Sequence, residues 1–86
     1  MALRFIGIDP ETQQQGSPTV WVDAENKELV FQGWKASAAL KEECAQKTAP
    51  GHATEIPDHE DVVRFPARMI PILREACDAA EQAGLL

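Results

Sequence analysis

The last third of the chain, Asp61 to Leu86, limits what the sequence can fold into more than any other stretch. It opens with a short apolar run, Asp61-Val62-Val63-Arg64-Phe65-Pro66, and continues as the longest helix candidate, Ala67 to Gly84. There Ile70, Leu73, Cys77 and Ala80 recur at spacings of three and four, with Met69, Ile72, Ala76 and Ala83 widening the stripe. That period marks a helix with one buried face. Arg74, Glu75, Asp78, Glu81 and Gln82 interrupt it and take the wet side. Pro66 suits a first helical position, because its missing N–H has no partner there. Pro71 suits one too; if both lie in the helix, Pro71 removes a bond and kinks it, and entry at Pro66 with a bend near Pro71 is the expectation. Gly84 predicts a left-handed cap, with Leu85 folding back on the last turn.

Upstream, the chain reads as short strands that need this helix to pack on. Leu3 to Ile8 is a strand, with Leu3, Phe5 and Gly7 on one side and Arg4, Ile6 and Ile8 on the other. Both sides are largely apolar, which predicts cover on both faces. Asp9-Pro10 ends it, and Glu11 to Pro18 is a polar loop. Thr19 to Val22 and Glu28 to Gln32, joined through Asp23-Ala24-Glu25-Asn26-Lys27, read as a hairpin. Val20, Val22, Leu29 and Phe31 then face the helix, and Trp21, Val30 and Gln32 face away. Ser37 caps a short helix, Ala38 to Gln46. Lys47 to Pro57 is a loop, and the final strand begins at Val62. The expected core is Phe5, Val20, Val22, Leu29, Phe31, Val63, Ile70, Leu73 and Cys77.

The pattern predicts an α+β fold: a small antiparallel sheet of about four strands on a C-terminal helix, with one short additional helix. The 86 residues make a single domain, 1–86, near the small end of what folds without staples. No run approaches the about 20 apolar residues of a membrane span. The start, Met1 to Asp9, is too short and interrupted for a signal peptide. A cytoplasmic protein is expected, with Cys44 and Cys77 as reduced thiols. The net charge is −6, and Glu55, Asp58, Glu60 and Asp61 fall within seven residues without a Lys or Arg. Such a chain repels phosphate, which argues against direct nucleic-acid binding and offers an acidic edge to a basic partner.

Catalytic chemistry finds little support. His52 and His59 are the two histidines. Asp58-His59-Glu60-Asp61 has metal-ligand residue types, but neighbours on an extended chain point to opposite sides. There is no Cys-x2-Cys or His-x3-His spacing. Asp9, Glu11 and Thr12 lack the central Gly and closing carboxylate of a calcium loop. Cys77 lies on the core stripe, and neither Ser17 nor Ser37 has a nucleophile motif around it. The expectation is therefore no enzyme, no metal and no cofactor. What remains is binding. Trp21, Val30, Trp34, Arg68 and Met69 are the expected partner-binding residues, Trp, Arg and Met being enriched at interface cores. The expected partners are a second copy, as a homodimer, and a protein with a basic surface. The rival reading is a small-molecule or enzymatic pocket near Arg64, Arg68 and His59.

The run Asp61-Val62-Val63-Arg64-Phe65-Pro66-Ala67-Arg68-Met69-Ile70-Pro71, after short strands in a small acidic chain, resembles the BldB-like small domains of actinobacteria. These accompany helix-turn-helix regulators. The shared pattern is a short strand ending in Phe65, a Pro66-Ala67 helix start and an apolar helical stripe. Gly33-Trp34-Lys35-Ala36-Ser37 is similar to that family's Trp-x-Lys-Ser-Ser, but here follows a hairpin, and the family's Asn-Cys-Val-Glu segment is absent. The resemblance covers about a quarter of the chain. It implies a regulatory protein-interaction role and carries over no catalytic residue.

Overall fold

The computed structural model describes residues 3–11, 17–51 and 55–86. Residues 12–16 of the polar loop, and 52–54 with His52, lie outside the described residues. The fold is α+β. In order come β1 (Leu3–Ile8), β2 (Thr19–Asp23), β3 (Glu28–Gln32), β4 (Trp34–Lys35), α1 (Ala38–Gln46), β5 (Val63–Arg64), a 3-10 turn (Ala67–Met69) and α2 (Ile70–Gln82). The five strands form two antiparallel ladders: three strands in the order β1-β2-β3, and the pair β4-β5. The chain divides into two compact units, Met1–Gly33 with Phe65–Leu86, and Trp34–Arg64.

The first unit holds the core. Val20, Val22, Met69, Ala76 and Ala79 are buried together, with Ile6, Leu29, Phe65, Ile72, Leu73 and Leu85 packed around them. Val20 pairs with Phe31 and Val22 with Leu29, so the two hairpin strands present one helix-facing side as their alternation predicts. Phe31 leans edge-on against Phe65, centroids 5.6 Å apart at 81°.

Several positions depart from the sequence reading. Phe5, Phe31, Val63, Ile70 and Cys77 are exposed, not core. For Phe5 the cause is a β-bulge. Phe5 pairs with Trp21, but Gly7 pairs with Val20, so one extra residue, Ile6, breaks the alternation. Gly7 thereby turns to the helix side, where an added Cβ would stand 2.9 Å from Ile72 Cγ2. For Ile70 and Cys77 the cause is the choice of helix face. The smallest side chains, Ala76 and Ala79, lie deepest, letting α2 approach the sheet closely at Gly7. For Val63 the cause is pairing: β5 ladders with β4, apart from the hairpin.

Both ends of α2 follow local chemistry. Pro71 falls in the first helical turn, after a 3-10 turn in which the Met69 N–H donates to the Pro66 carbonyl at 2.9 Å. Its missing N–H has no partner to lose there, so the expected bend is replaced by a helix start. At the other end Gly84 has φ 74°. Its N–H donates to the Glu81 carbonyl at 3.0 Å, and the Leu85 N–H to Ala80 at 3.1 Å. Those two bonds make the Schellman cap, with Leu85 tucked onto the core. In the second unit Ser37 caps α1 as expected, its Oγ accepting from the Leu40 N–H at 3.1 Å.

Candidate interaction surface

The side of the three-stranded sheet away from α2 is a grid set by pairing. Cross-strand partners share a face. The rows are therefore Leu3–Asp23–Glu28, Phe5–Trp21–Val30 and Ile8–Thr19–Gln32. Columns lie about 4.8 Å apart and rows about 7 Å apart. The β1 column is apolar and open: Leu3 is 45%, Phe5 58% and Ile8 46% exposed. Trp21 at the centre and Val30 beside it are half-buried.

The two ends of the central β2 column, Thr19 and Asp23, are polar and fixed. Thr19 Oγ1 and Gln32 Nε2 both donate to the Ser17 carbonyl, at 2.7 and 2.9 Å. At the opposite end Asp23 holds the hairpin turn. The Asn26 backbone N–H donates to its Oδ1 at 3.1 Å and the Asn26 amide to its Oδ2 at 2.9 Å. These bonds, the side-chain one first, hold the Asp23 carboxyl below its ordinary 3.8. Glu25 and Glu28 beside it are exposed and make this end acidic.

The structure brings Trp21 and Val30 together as direct neighbours. The other expected partner-binding residues lie elsewhere. Met69 is fully buried in the core and has no surface to offer. Arg68 reaches back to the end of β1, where its Nε and Nη2 each meet an oxygen of Asp9 at 2.7 Å. That carboxylate is wholly buried and holds the guanidinium above its usual pKa. Glu11 stands 3.5 Å from the same Nε. Trp34 belongs to the second unit, with the Arg64 guanidinium 5.5 Å above its ring. The residue that sequence reasoning missed is Phe5. The signal was present, since a strand apolar on both sides needs two covers, and α2 supplies one.

The residues of the rival pocket are engaged or open. Arg68 grips Asp9, Arg64 lies on Trp34, and the His59 side chain is exposed, 3.8 Å from Glu60. Among the described residues, no group of three or more His, Cys, Asp or Glu is placed to hold a metal ion. No helix among them is long and apolar enough to cross a membrane. No family model, no curated protein and no solved structure matches the chain.

Proposed function

We propose that the protein is a non-enzymatic interaction module of the cytoplasm that associates with itself and docks a protein partner on the outer face of its three-stranded sheet. One observation carries this reading: the Leu3, Phe5 and Ile8 column stands open beside Trp21 and Val30. A contiguous apolar sheet face rimmed by charge is the form of a protein-binding site. The acidic rim at Glu25 and Glu28 favours a partner with a basic border, which it steers toward the apolar centre. The likeness of Asp61 to Pro71 to BldB-like domains supports a transcriptional regulator as that partner. Arg68 and Arg64 are both engaged by internal partners, which favours the sheet face over the pocket reading.

The test is Phe5→Ser beside Trp21→Ala, each compared with wild type by sedimentation and by binding to a host regulator recovered in a pull-down. Phe5→Ser leaves the melting curve nearly unchanged and weakens association by about 2 kcal/mol, the usual hot-spot threshold. Trp21→Ala weakens it similarly, with a visible cost in stability because the ring is half-buried. Unchanged association in both variants removes the sheet face as the docking surface.

A further inference from the structure

We propose that the described part of the unit Trp34–Arg64, α1 with the β4-β5 pair, is a salt-sensitive order–disorder element: it opens locally while the β1-β2-β3 sheet and α2 stay folded, and the Lys41–Asp61 ion pair is a latch that favours its ordered form.

Burial is the first ground. No described residue of this unit is buried, whereas the other unit holds the whole buried cluster. Its apolar side chains Leu40, Ala45, Ile56 and Val62 are half-exposed, and Val63 is open. The unit is shorter than the about 40 residues below which a chain usually needs a disulfide, a metal or a partner to fold. Cys44 is a free thiol, so no disulfide supplies the staple.

Local structure gives the second ground. α1 has 9 residues. An isolated helix shorter than about 12 to 15 residues is marginal in water even with the best sequence. Leu40 and Cys44 sit on one side of it, but charged Lys41, Glu42, Glu43 and Lys47 leave no apolar stripe to bury. β4 and β5 pair over two residues each. Among the described residues, an open cleft of about 350 Å³ separates Cys44, Ala45 and Thr48 from Ile56, Pro57 and Val62.

Among the described residues, the side-chain contacts seen within the unit are polar and exposed. Arg64 covers Trp34 and its Nε donates to the Lys35 carbonyl at 3.2 Å, which fixes the ladder. Lys41 Nζ meets Asp61 Oδ1 at 3.0 Å and ties α1 to the segment leading into β5. The same contact lowers the Asp61 pKa. An exposed pair of this kind is weakened by salt. Regions with few buried apolar contacts and exposed hydrogen bonds open at free energies far below that of global unfolding.

Hydrogen exchange with mass spectrometry on the full chain tests this. α1 amides exchange about a hundredfold or more faster than those of β2 and the middle of α2. Raising salt from about 0.1 M to about 1 M contracts the Debye length from about 10 Å to about 3 Å. That change speeds α1 exchange about two- to fivefold relative to β2. Lys41→Ala reproduces the faster exchange at low salt and reduces the salt response to the part that the exposed Glu43–Lys47 pair at the end of α1 supplies. Equal protection in α1 and β2 overturns the separate opening. Fast exchange that neither salt nor Lys41→Ala alters overturns the latch.

Discussion

Arg68 holds Asp9 by two parallel 2.7 Å bonds across 59 residues of sequence, joining the end of β1 to the turn that starts α2. The carboxylate is 0% exposed and also accepts the Glu11 N–H at 3.0 Å. Breaking a buried pair leaves an uncompensated charge, which costs about 3–5 kcal/mol. Here 34% of the Arg68 side chain is exposed and Asp9 keeps the Glu11 N–H, so in Arg68→Ala water can reach the carboxylate and the loss falls below that range. Arg68→Lys keeps the charge but loses the fork, and falls between. Replacing both at once, Asp9→Leu with Arg68→Met, recovers most of the loss. Urea unfolding reads all three. An Arg68→Ala midpoint equal to wild type would show that the pair contributes nothing to stability.

The hairpin turn carries a pH dependence. Asp23 has a folded pKa below its ordinary 3.8, chiefly through the Asn26 side chain and then the Asn26 N–H. A depressed carboxylate stabilises the fold above the unfolded value and loses that contribution as pH falls through the folded one. Asn26→Ala is therefore less stable than wild type at neutral pH, and the gap closes in acid, below 3.8. Denaturation at both pH values measures it. A gap of constant size would assign Asn26 to turn geometry alone.

These two sites differ in how far the sequence announced them. The turn from Asp23 to Lys27 was readable because Asx chemistry acts within three residues. So were the Ser37 cap and the Gly84 stop, which depend on the residue itself. The Asp9–Arg68 pair was not, because nothing in a run of letters couples positions so far apart. The core was half legible. Val20 and Val22 follow from alternation, but the bulge at Ile6 costs one residue of register and moved Phe5 to the open face. On α2, the three-and-four spacing chose the stripe through Ile70 and Cys77. Close approach instead rewards small side chains, so Ala76 and Ala79 touch the sheet and Met69 fills the space before them. The same bulge explains why Trp21 was foreseen on the outer face and its most exposed neighbour was not.

Lys27 closes the hairpin with φ 56°, in the left-handed region. That conformation costs a residue with a Cβ about 1–2 kcal/mol. Glycine escapes this cost but loses about 0.5–1 kcal/mol through its greater freedom when unfolded. Lys27→Gly is thus expected to stabilise the chain by about 0.5–1 kcal/mol, seen as a higher melting temperature with unchanged circular dichroism. A lower melting temperature would mean that the lysine side chain contributes more than its backbone costs.

The closest test of how α2 seats on the sheet is at Gly7. A Cβ there would stand 2.9 Å from Ile72 Cγ2, 3.1 Å from Cγ1 and 3.2 Å from Cδ1. Ile72 is β-branched and stiff at χ1, so its Cγ2 cannot swing away without moving the helix. Gly7→Ala should therefore destabilise by about 1–3 kcal/mol, the usual cost of overpacking. Ile72→Ala alone should also destabilise, by losing a half-buried side chain from the core. Combined, the two changes relieve each other: the new methyl at residue 7 enters the space that the isoleucine leaves. The double variant should lose less than the sum of the single losses, by at least about 0.5 kcal/mol, the scale of coupling between touching residues. Chemical denaturation of the four proteins in the cycle measures that coupling. Strict additivity would mean that Gly7 and Ile72 do not meet, and that the bulge does not turn residue 7 toward α2.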